Sequence, residues 1–213
     1  SESTEFNTKK LLDGSSDNKS YSDNNSVSLI SISDSVETRE YNLSITSDAR
    51  QAVLVSGSAA DTGDISEEEA GTLIINGLSV SIKEGMSIEE AYSAIRDACD
   101  SVNIKAFFSD GSFNAAEADN EYAGYTAVAP ENGGNLTFVT KAYGSDAKLE
   151  IYCENENLRE RFGIGEDGAT AEGVDAGASL GEGFSETATL QSNGRIVTVR
   201  DVNGFEMQFK VKA

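Results

Sequence analysis

The clearest pattern of apolar and polar positions along the chain lies between residues 72 and 153. It begins with two β-branched runs, residues 72–75 and 78–82, on either side of Asn76-Gly77. This pair suits the positive φ angles that a two-residue hairpin turn requires. The pattern therefore predicts a β-hairpin.

A helix is predicted directly after the hairpin. The sequence Ser87-Ile88-Glu89-Glu90 has capping-box form, in which the serine hydroxyl and the second glutamate pair with backbone donors that the first turn leaves unpaired. Apolar residues then recur at helical spacing and predict a single stripe: Ile88, Ala91, Tyr92, Ile95, Ala98, Cys99 and Val102. We expect this stripe to pack on a sheet.

Alternating apolar and polar residues predict the remaining strands. The runs are residues 27–32, 41–46, 104–108, 135–140 and 148–153, and a second hairpin is predicted for 195–200 and 205–211 around Asn203-Gly204. Residues 48–55 fit either a helical turn or a strand, and residues 156–162 fit a short helix. The predicted fold class is α+β and β-rich, with antiparallel hairpins and one main amphipathic helix in an inserted module.

The composition of the connecting segments predicts the domain boundaries. Residues 56–70 are rich in Gly, Ser and Asp, and residues 163–183 are rich in Gly and acidic residues. We predict a discontinuous β-rich outer domain from residues 27–60 and 173–213, with residues 70–165 inserted as an α+β module. Residues 1–26 are predicted to be a separate segment that ends in a polar linker rich in Ser, Asp and Asn.

The net charge limits the classes of partner. The chain has 213 residues, of which 38% are hydrophobic, and 37 Asp and Glu outweigh 16 Lys and Arg, for a formal charge of -21. Nucleic acid and anionic lipid surfaces are therefore poor partners. No run approaches the about 18 apolar residues that a membrane span needs, and no signal peptide is recognisable. The absence of an initiating Met suggests a fragment of a longer protein.

The residues that most catalytic sites need are missing. The chain has no His, which excludes the Ser-His-Asp triad, the Cys-His pair and the His-Glu-x-x-His zinc motif. The Gly-rich segment 163–183 lacks the strand-to-helix setting of a phosphate-binding loop. We therefore predict a protein that is not an enzyme, with no catalytic residue and no cofactor.

Acidic clusters and the two cysteines are candidate sites in the sequence. Calcium ligands could come from Asp61, Asp64 and Glu67, or from Asp17 and Asp23, but neither set has EF-hand spacing. A solvated acidic surface is the simpler interpretation, so no metal site is predicted. Cys99 and Cys153 both lie on predicted core faces, where buried free thiols and a disulfide remain open alternatives.

Two tyrosines in a predicted loop offer an alternative binding site. Tyr122 and Tyr125 could present aromatic faces on which a sugar ring stacks. A surface adhesion or sugar-binding module is therefore retained as an alternative.

The start of the chain carries a resemblance to a known family. Residues 4–14 read TEFNTKKLLDG. The pair Phe6-Asn7, followed by Leu11, Leu12 and Gly14, resembles the bacterial flagellin segment that ends the N-terminal helices of the inner rod domain. The resemblance implies that these five residues form a rod-docking motif.

A second resemblance covers the hairpin and helix described first. Residues 71–77, the predicted helix, residues 135–140 and Gly144-Ser145 are similar to the flagellin hook IN motif, which occurs in flagellins and in filament cap proteins. Residues 41–52 resemble the segment that precedes this motif in both families. The Phe6-Asn7 start favours flagellin. The two cysteines and the insertion at residues 109–134 depart from the family pattern.

The resemblance implies a structural function. The chain would form the variable, solvent-exposed outer domains of a flagellar filament subunit, exported to the cell exterior for motility. Its partners would be other flagellin subunits, mainly through terminal helices outside this sequence, and host receptors or glycans would be further partners. A filament cap or hook-associated protein is the alternative within the same apparatus.

Overall fold

The computed structural model describes residues 2–9, 19–22, 27–33, 40–202 and 205–211, with side chains for 27–33, 41–202 and 205–211. The chain divides into two compact units. Unit 1 comprises residues 1–50, 143–145 and 174–213, and unit 2 comprises residues 51–142 and 146–173.

These bounds differ from the sequence-based ones at several places. Residues 143–145, predicted within the inserted module, belong to unit 1. Residues 51–60, predicted with the outer domain, belong to unit 2, because the first strand after Arg50 joins the sheets of that unit. Residues 1–26, predicted as a rod-like segment and linker, contain two strands of unit 1.

Unit 1 consists of two four-stranded antiparallel sheets. Its strands are β1 (Glu2–Lys9), β2 (Lys19–Ser22), β3 (Val27–Ile32), β4 (Glu40–Ser47), β13 (Gly177–Leu180), β14 (Thr189–Asn193), β15 (Ile196–Arg200) and β16 (Glu206–Val211). One sheet has the order β13-β4-β1-β2 and the other β14-β15-β16-β3. Strands from both ends of the sequence therefore pair within this unit.

The core of unit 1 follows from the period-two pattern of its strands. Alternate residues of β4, namely Tyr41, Leu43 and Ile45, are buried, and so are Met207 and Phe209 of β16. These side chains belong to one apolar cluster. The alternation that predicted the strands thus also identifies their inward faces.

Unit 2 contains both helices and two further sheets. Its elements are β5 (Gln51–Val55), β6 (Gly71–Ile75), β7 (Leu78–Ile82), α1 (Ile88–Ser101), β8 (Ile104–Phe113), β9 (Tyr125–Val128), β10 (Asn135–Tyr143), β11 (Lys148–Cys153), α2 (Glu156–Phe162) and β12 (Ala169–Glu172). The sheet orders are β5-β10-β8-β9 and β12-β11-β6-β7. The segment 48–55, which fitted either a helical turn or a strand, forms β5.

The first predicted hairpin is present as β6 and β7. Ile75 pairs with Leu78, and the two turn residues Asn76 and Gly77 have φ angles of 47° and 79°. Two positive φ angles define the type I′ turn that an Asn-Gly pair favours. The turn residues therefore fix the register of the hairpin.

Helix α1 begins at its predicted capping box. The Ser87 Oγ accepts a hydrogen bond from the Glu90 amide at 3.1 Å, and the Glu90 carboxylate accepts one from the Ser87 amide at 3.1 Å. The buried residues Ile88, Ala91, Ile95 and Cys99 lie in one cluster with residues of both sheets. The stripe ends before Val102, which is 38% exposed at the C-cap.

The C-terminal strands are also paired as predicted, although the turn of their hairpin lies outside the described residues. Strand β15 pairs with β16 from Ile196↔Lys210 to Arg200↔Glu206, and Asn203-Gly204 falls in the gap. A hairpin that the sequence analysis did not predict joins β14 to β15 through Gly194, whose φ is 59°. The described residues form mostly antiparallel β-sheet with two α-helices, which confirms the α+β, β-rich fold class.

Candidate functional site

The predicted rod-docking motif lies at the start of unit 1. Phe6 and Asn7 belong to β1, where Phe6 is opposite Tyr41 of β4 and Ser22 of β2. Leu11, Leu12 and Gly14 lie outside the described residues. The docking role of these five residues stays a prediction.

The two candidate sugar-binding tyrosines belong to a small aromatic cluster of unit 2. The Tyr122 ring lies 4.9 Å from the Phe107 ring, and the Lys105 Nζ lies 4.5 Å from the Tyr122 ring centroid. Lys105 also forms a 2.8 Å ion pair with Glu121. Tyr122 is therefore held by two contacts of its ring, and the ion pair with Glu121 holds Lys105 in place over it.

Tyr125 has a different neighbour. Its ring lies 5.3 Å from the ring of Phe113, which is 49% exposed at the end of β8. Gly124 has a φ of 86° and lies against the Phe113 ring, so that a Cβ there would clash. Phe113 is thus the exposed ring of this cluster, whereas Tyr122 and Tyr125 are both half-buried.

The candidate calcium loop is organised by an internal cation. The Arg161 side chain, on α2, is only 3% exposed, and it donates hydrogen bonds to the carbonyl oxygens of Asp61, Gly63 and Asp64 at 2.7, 2.7 and 2.9 Å. Its Nε and Nη2 also donate to the two carboxylate oxygens of Glu69. All five N–H groups of the guanidinium are therefore used.

Glu69 connects this arginine to the loop. Ser66 and Glu69 form a capping box around the 3-10 turn Glu67–Glu69, and Glu69 is at the same time the carboxylate partner of Arg161. Hydrogen bonding from Arg161 is the main reason that the pKa of Glu69 is lowered to about 2. The pair is therefore ionised over the whole neutral range.

This geometry changes the interpretation of the acidic loop. The carbonyl oxygens of Asp61, Gly63 and Asp64, which a hard cation would use, accept hydrogen bonds from the guanidinium. Within the described residues, no group of three or more His, Cys, Asp or Glu side chains is arranged to hold a metal ion.

An open groove lies elsewhere on unit 2. It has a volume of about 500 Å³ and is lined by side chains of β6, β11 and the start of α2, among them Ile74, Tyr152, Glu154 and Asn155. Asn155 is not available for a ligand, because its amide donates to the carbonyl oxygens of Glu68 and Ala70 at 2.9 and 3.0 Å. The groove thus combines an exposed tyrosine with acidic side chains.

The two cysteines are buried and free. Burial raises the pKa of the Cys99 thiol to about 12, and it also raises the pKa of the Cys153 thiol. Because the thiolate is the reactive form, both side chains are core residues with little nucleophilic character at neutral pH. The structure thus selects free thiols over a disulfide.

Sequence reasoning missed the role of Arg161. The hydrogen bonds of its side chain connect residues 92 to 100 positions apart. The sequence shows only an acidic loop and, far along the chain, an arginine. Neither feature predicts that the arginine side chain contacts the loop.

The comparisons with known proteins include a distant structural likeness. No protein-family model and no curated protein matches the chain. Among solved structures, the chain is similar to the D1-D2-D3 domains of the flagellar cap protein FliD from Escherichia coli, with 12% identity and a TM-score of 0.48. The match covers 90% of this chain and 56% of that one, so the chain spans little more than half of its length.

The two helices of the described residues, α1 and α2, have 14 and 7 residues. Neither α1 nor α2 is long and apolar enough to cross a membrane.

Proposed function

We propose that this chain forms the outer, solvent-exposed part of a bacterial flagellar filament subunit and has a structural role in motility without enzymatic activity. The observation that carries the proposal is the occurrence, in one chain and in order, of the flagellin-like segment 4–14 and the hook IN-like region from Gly71 to Ser145. The five residues Phe6, Asn7, Leu11, Leu12 and Gly14 would dock on the rod of the filament.

The structural roles of the hook IN-like residues support this proposal. Leu73, Ile75, Leu136 and Phe138 are fully buried in the core of unit 2, and Asn76-Gly77 forms the turn of its first hairpin. These residues stabilise a fold. A motif whose residues stabilise the fold is what we expect in a domain that projects from a polymer and has no catalytic role.

The charge of the chain is consistent with the same role. A surface repeated along a filament benefits from a large net charge, because mutual repulsion opposes association between filaments. Contacts between subunits would then be made mainly by terminal helices outside this sequence. The location would be the cell exterior.

Immunogold electron microscopy on the source bacterium tests the proposal. Antibodies raised against this chain should label filaments along their whole length, and a strain lacking the gene should lose both the label and swimming motility. Label confined to filament tips would contradict the assignment as a filament subunit and support a cap protein instead. Intact filaments without any label would overturn a flagellar role.

The adhesion alternative rests on the exposed Phe113 ring and the half-buried Tyr125 ring beside it. A glycan array tests this alternative on the purified chain, and the absence of binding would remove it. Binding that is lost in Tyr125→Ala and kept in Tyr152→Ala, a matched change at a tyrosine 39% exposed elsewhere on unit 2, would support an adhesive module instead.

A further inference from the structure

At an Asn-Gly pair, the backbone of a protein chain can react with the asparagine side chain. The Asn-Gly pairs of this chain differ in the hydrogen bonds that restrain them. The sequence has four: Asn76-Gly77, Asn132-Gly133, Asn193-Gly194 and Asn203-Gly204. The first three lie within the described residues. Because glycine has no Cβ, its backbone nitrogen is open to approach, and a neighbouring side-chain amide is present at high effective concentration.

The reaction needs only the chain and water. The glycine nitrogen loses its proton to hydroxide and attacks the Cγ of the preceding asparagine, so that a C–N bond forms and the side-chain nitrogen leaves as ammonia. The five-membered imide is then hydrolysed by water at either carbonyl, which gives aspartate or isoaspartate. The net change is the replacement of an amide by an acid with uptake of one water molecule.

The amide of Asn76 is held away from this reaction. Its Nδ2 donates to the carbonyl oxygen of Lys148 at 2.9 Å, and its Oδ1 accepts from the Glu150 amide at 2.7 Å. Its own backbone amide donates to the Glu150 carbonyl oxygen at 2.9 Å. The side chain therefore extends the ladder of β11, and these hydrogen bonds must break before the Cγ can turn toward Gly77.

Asn132 has no such restraint. It is exposed at the end of the 3-10 turn Pro130–Asn132, and within the described residues its side chain makes no hydrogen bond. The Gly133 amide makes one 3.1 Å bond, to the Pro130 carbonyl oxygen, within the same three-residue turn. Such a short turn opens at low free-energy cost compared with a strand of the core.

Asn193 is less restrained than Asn76 and more restrained than Asn132. It is exposed, but the nitrogen that would attack it belongs to Gly194, which is buried and donates to the Asp175 carboxylate at 2.7 Å. The same carboxylate accepts from the Ser145 amide at 3.1 Å and from the Ser145 hydroxyl at 2.7 Å. The attacking nitrogen is thus fixed in a hydrogen-bonded turn even though the asparagine amide is open.

We propose that Asn132 is a site of spontaneous deamidation, that the folded chain reacts there before Asn193, and that Asn76 is protected by its hydrogen bonds to β11. The product adds a negative charge and, as isoaspartate, one backbone atom before Gly133-Gly134. Gly134 is closely packed, because a Cβ there would lie 2.7 Å from the Val128 side chain, and its carbonyl oxygen accepts from the Ala60 amide at 2.7 Å. The modification should therefore loosen the contact between residues 60 and 134.

Incubation of the full chain at mildly alkaline pH tests this proposal. Peptide mass spectrometry measures the deamidation rate at each Asn-Gly pair, in the folded chain and in the same chain unfolded in urea. In the folded chain, Asn76 should react at least about tenfold more slowly than in the unfolded chain, since two side-chain hydrogen bonds must break. Asn132 should react at close to its unfolded rate.

A matched variant controls for changes elsewhere in the chain. Asn132→Ser should remove the reaction at that position and leave the rates at Asn76 and Asn193 unchanged. Equal slowing of Asn76 and Asn132 by folding would overturn the proposal, as would a folded chain in which Asn76 reacts first.

Discussion

At the scale of single residues, Arg161 shows how one buried side chain can replace a bound ion. The loop around Asp61 and Asp64 has the acidic composition of a calcium loop, yet its carbonyl oxygens accept from a guanidinium fixed on α2. An arginine provides five donors in a planar fork, which suits three carbonyls and one carboxylate at once. The loop thus carries its own cation.

Arg161→Met should be strongly destabilising. The substitution retains a similar apolar stem but leaves the Glu69 carboxylate and three carbonyl oxygens without their donor, and breaking a buried ion pair costs about 3–5 kcal/mol. Urea unfolding followed by circular dichroism measures the change in the free energy of unfolding. Arg96→Met, at an arginine whose side chain is 48% exposed, is the control and should cost about 0.5 kcal/mol or less. Similar costs at both positions would contradict the role given to Arg161.

The same ion pair predicts a specific pH dependence. The pKa of Glu69 is about 2 in the folded chain and 4.5 without its partners, so Glu69 contributes stability above pH 4.5 that is lost as the pH falls toward 2. The difference in unfolding free energy between wild type and Glu69→Gln should therefore be constant near neutrality and shrink across that range. Glu68→Gln, at an exposed neighbour, is the control for the loss of one carboxylate from this turn. A difference that stays constant down to pH 2 would refute this assignment.

At the scale of secondary-structure elements, short sequence motifs predicted the features that depend on neighbouring residues. The capping box at Ser87 and the turn at Asn76-Gly77 involve residues within four positions of one another, so both could be predicted from the sequence. The extension of β8 to Phe113 could not, because it depends on pairing with β9 across a register shift. The environment of Gly194 was missed for the same reason, since its amide is fixed by Asp175 from another segment.

Removal of the cap should therefore have a local and measurable cost. Ser87→Ala deletes the hydroxyl that accepts from the Glu90 amide, and loss of an N-cap costs about 1 kcal/mol. Ser93→Ala makes the same change inside α1, where alanine is the better helix former, and should be neutral or slightly stabilising. Urea unfolding of the two variants measures this contrast. A larger loss at Ser93 than at Ser87 would contradict it.

At the scale of the whole molecule, the pairing of distant strands limited what could be predicted. Strand β3 pairs with β16, so that Val27 lies opposite Val211, and β1 lies between β4 and β2. Alternation predicted β3, β4 and β16 as strands, but no local pattern states which of them become neighbours. The same holds for the loop that Arg161 organises. The apolar pattern predicted the core residues, but the contacts of Arg161 arise only from the tertiary fold.

Each unit also has its own apolar core, and this leads to a prediction for the molecule as a whole. Phe138 is fully buried in the main apolar cluster of unit 2, and Phe209 is 1% exposed in the cluster of unit 1. Truncation of either to Ala leaves a cavity and costs about 3–5 kcal/mol. Because the two clusters share no residue, Phe138→Ala should raise the hydrogen-exchange rates of unit 2 peptides and leave unit 1 peptides protected, with Phe209→Ala giving the reverse. Hydrogen exchange followed by mass spectrometry checks both variants, each serving as the control for the other. Loss of protection throughout the chain in both variants would show instead that the two cores unfold as a single cooperative unit.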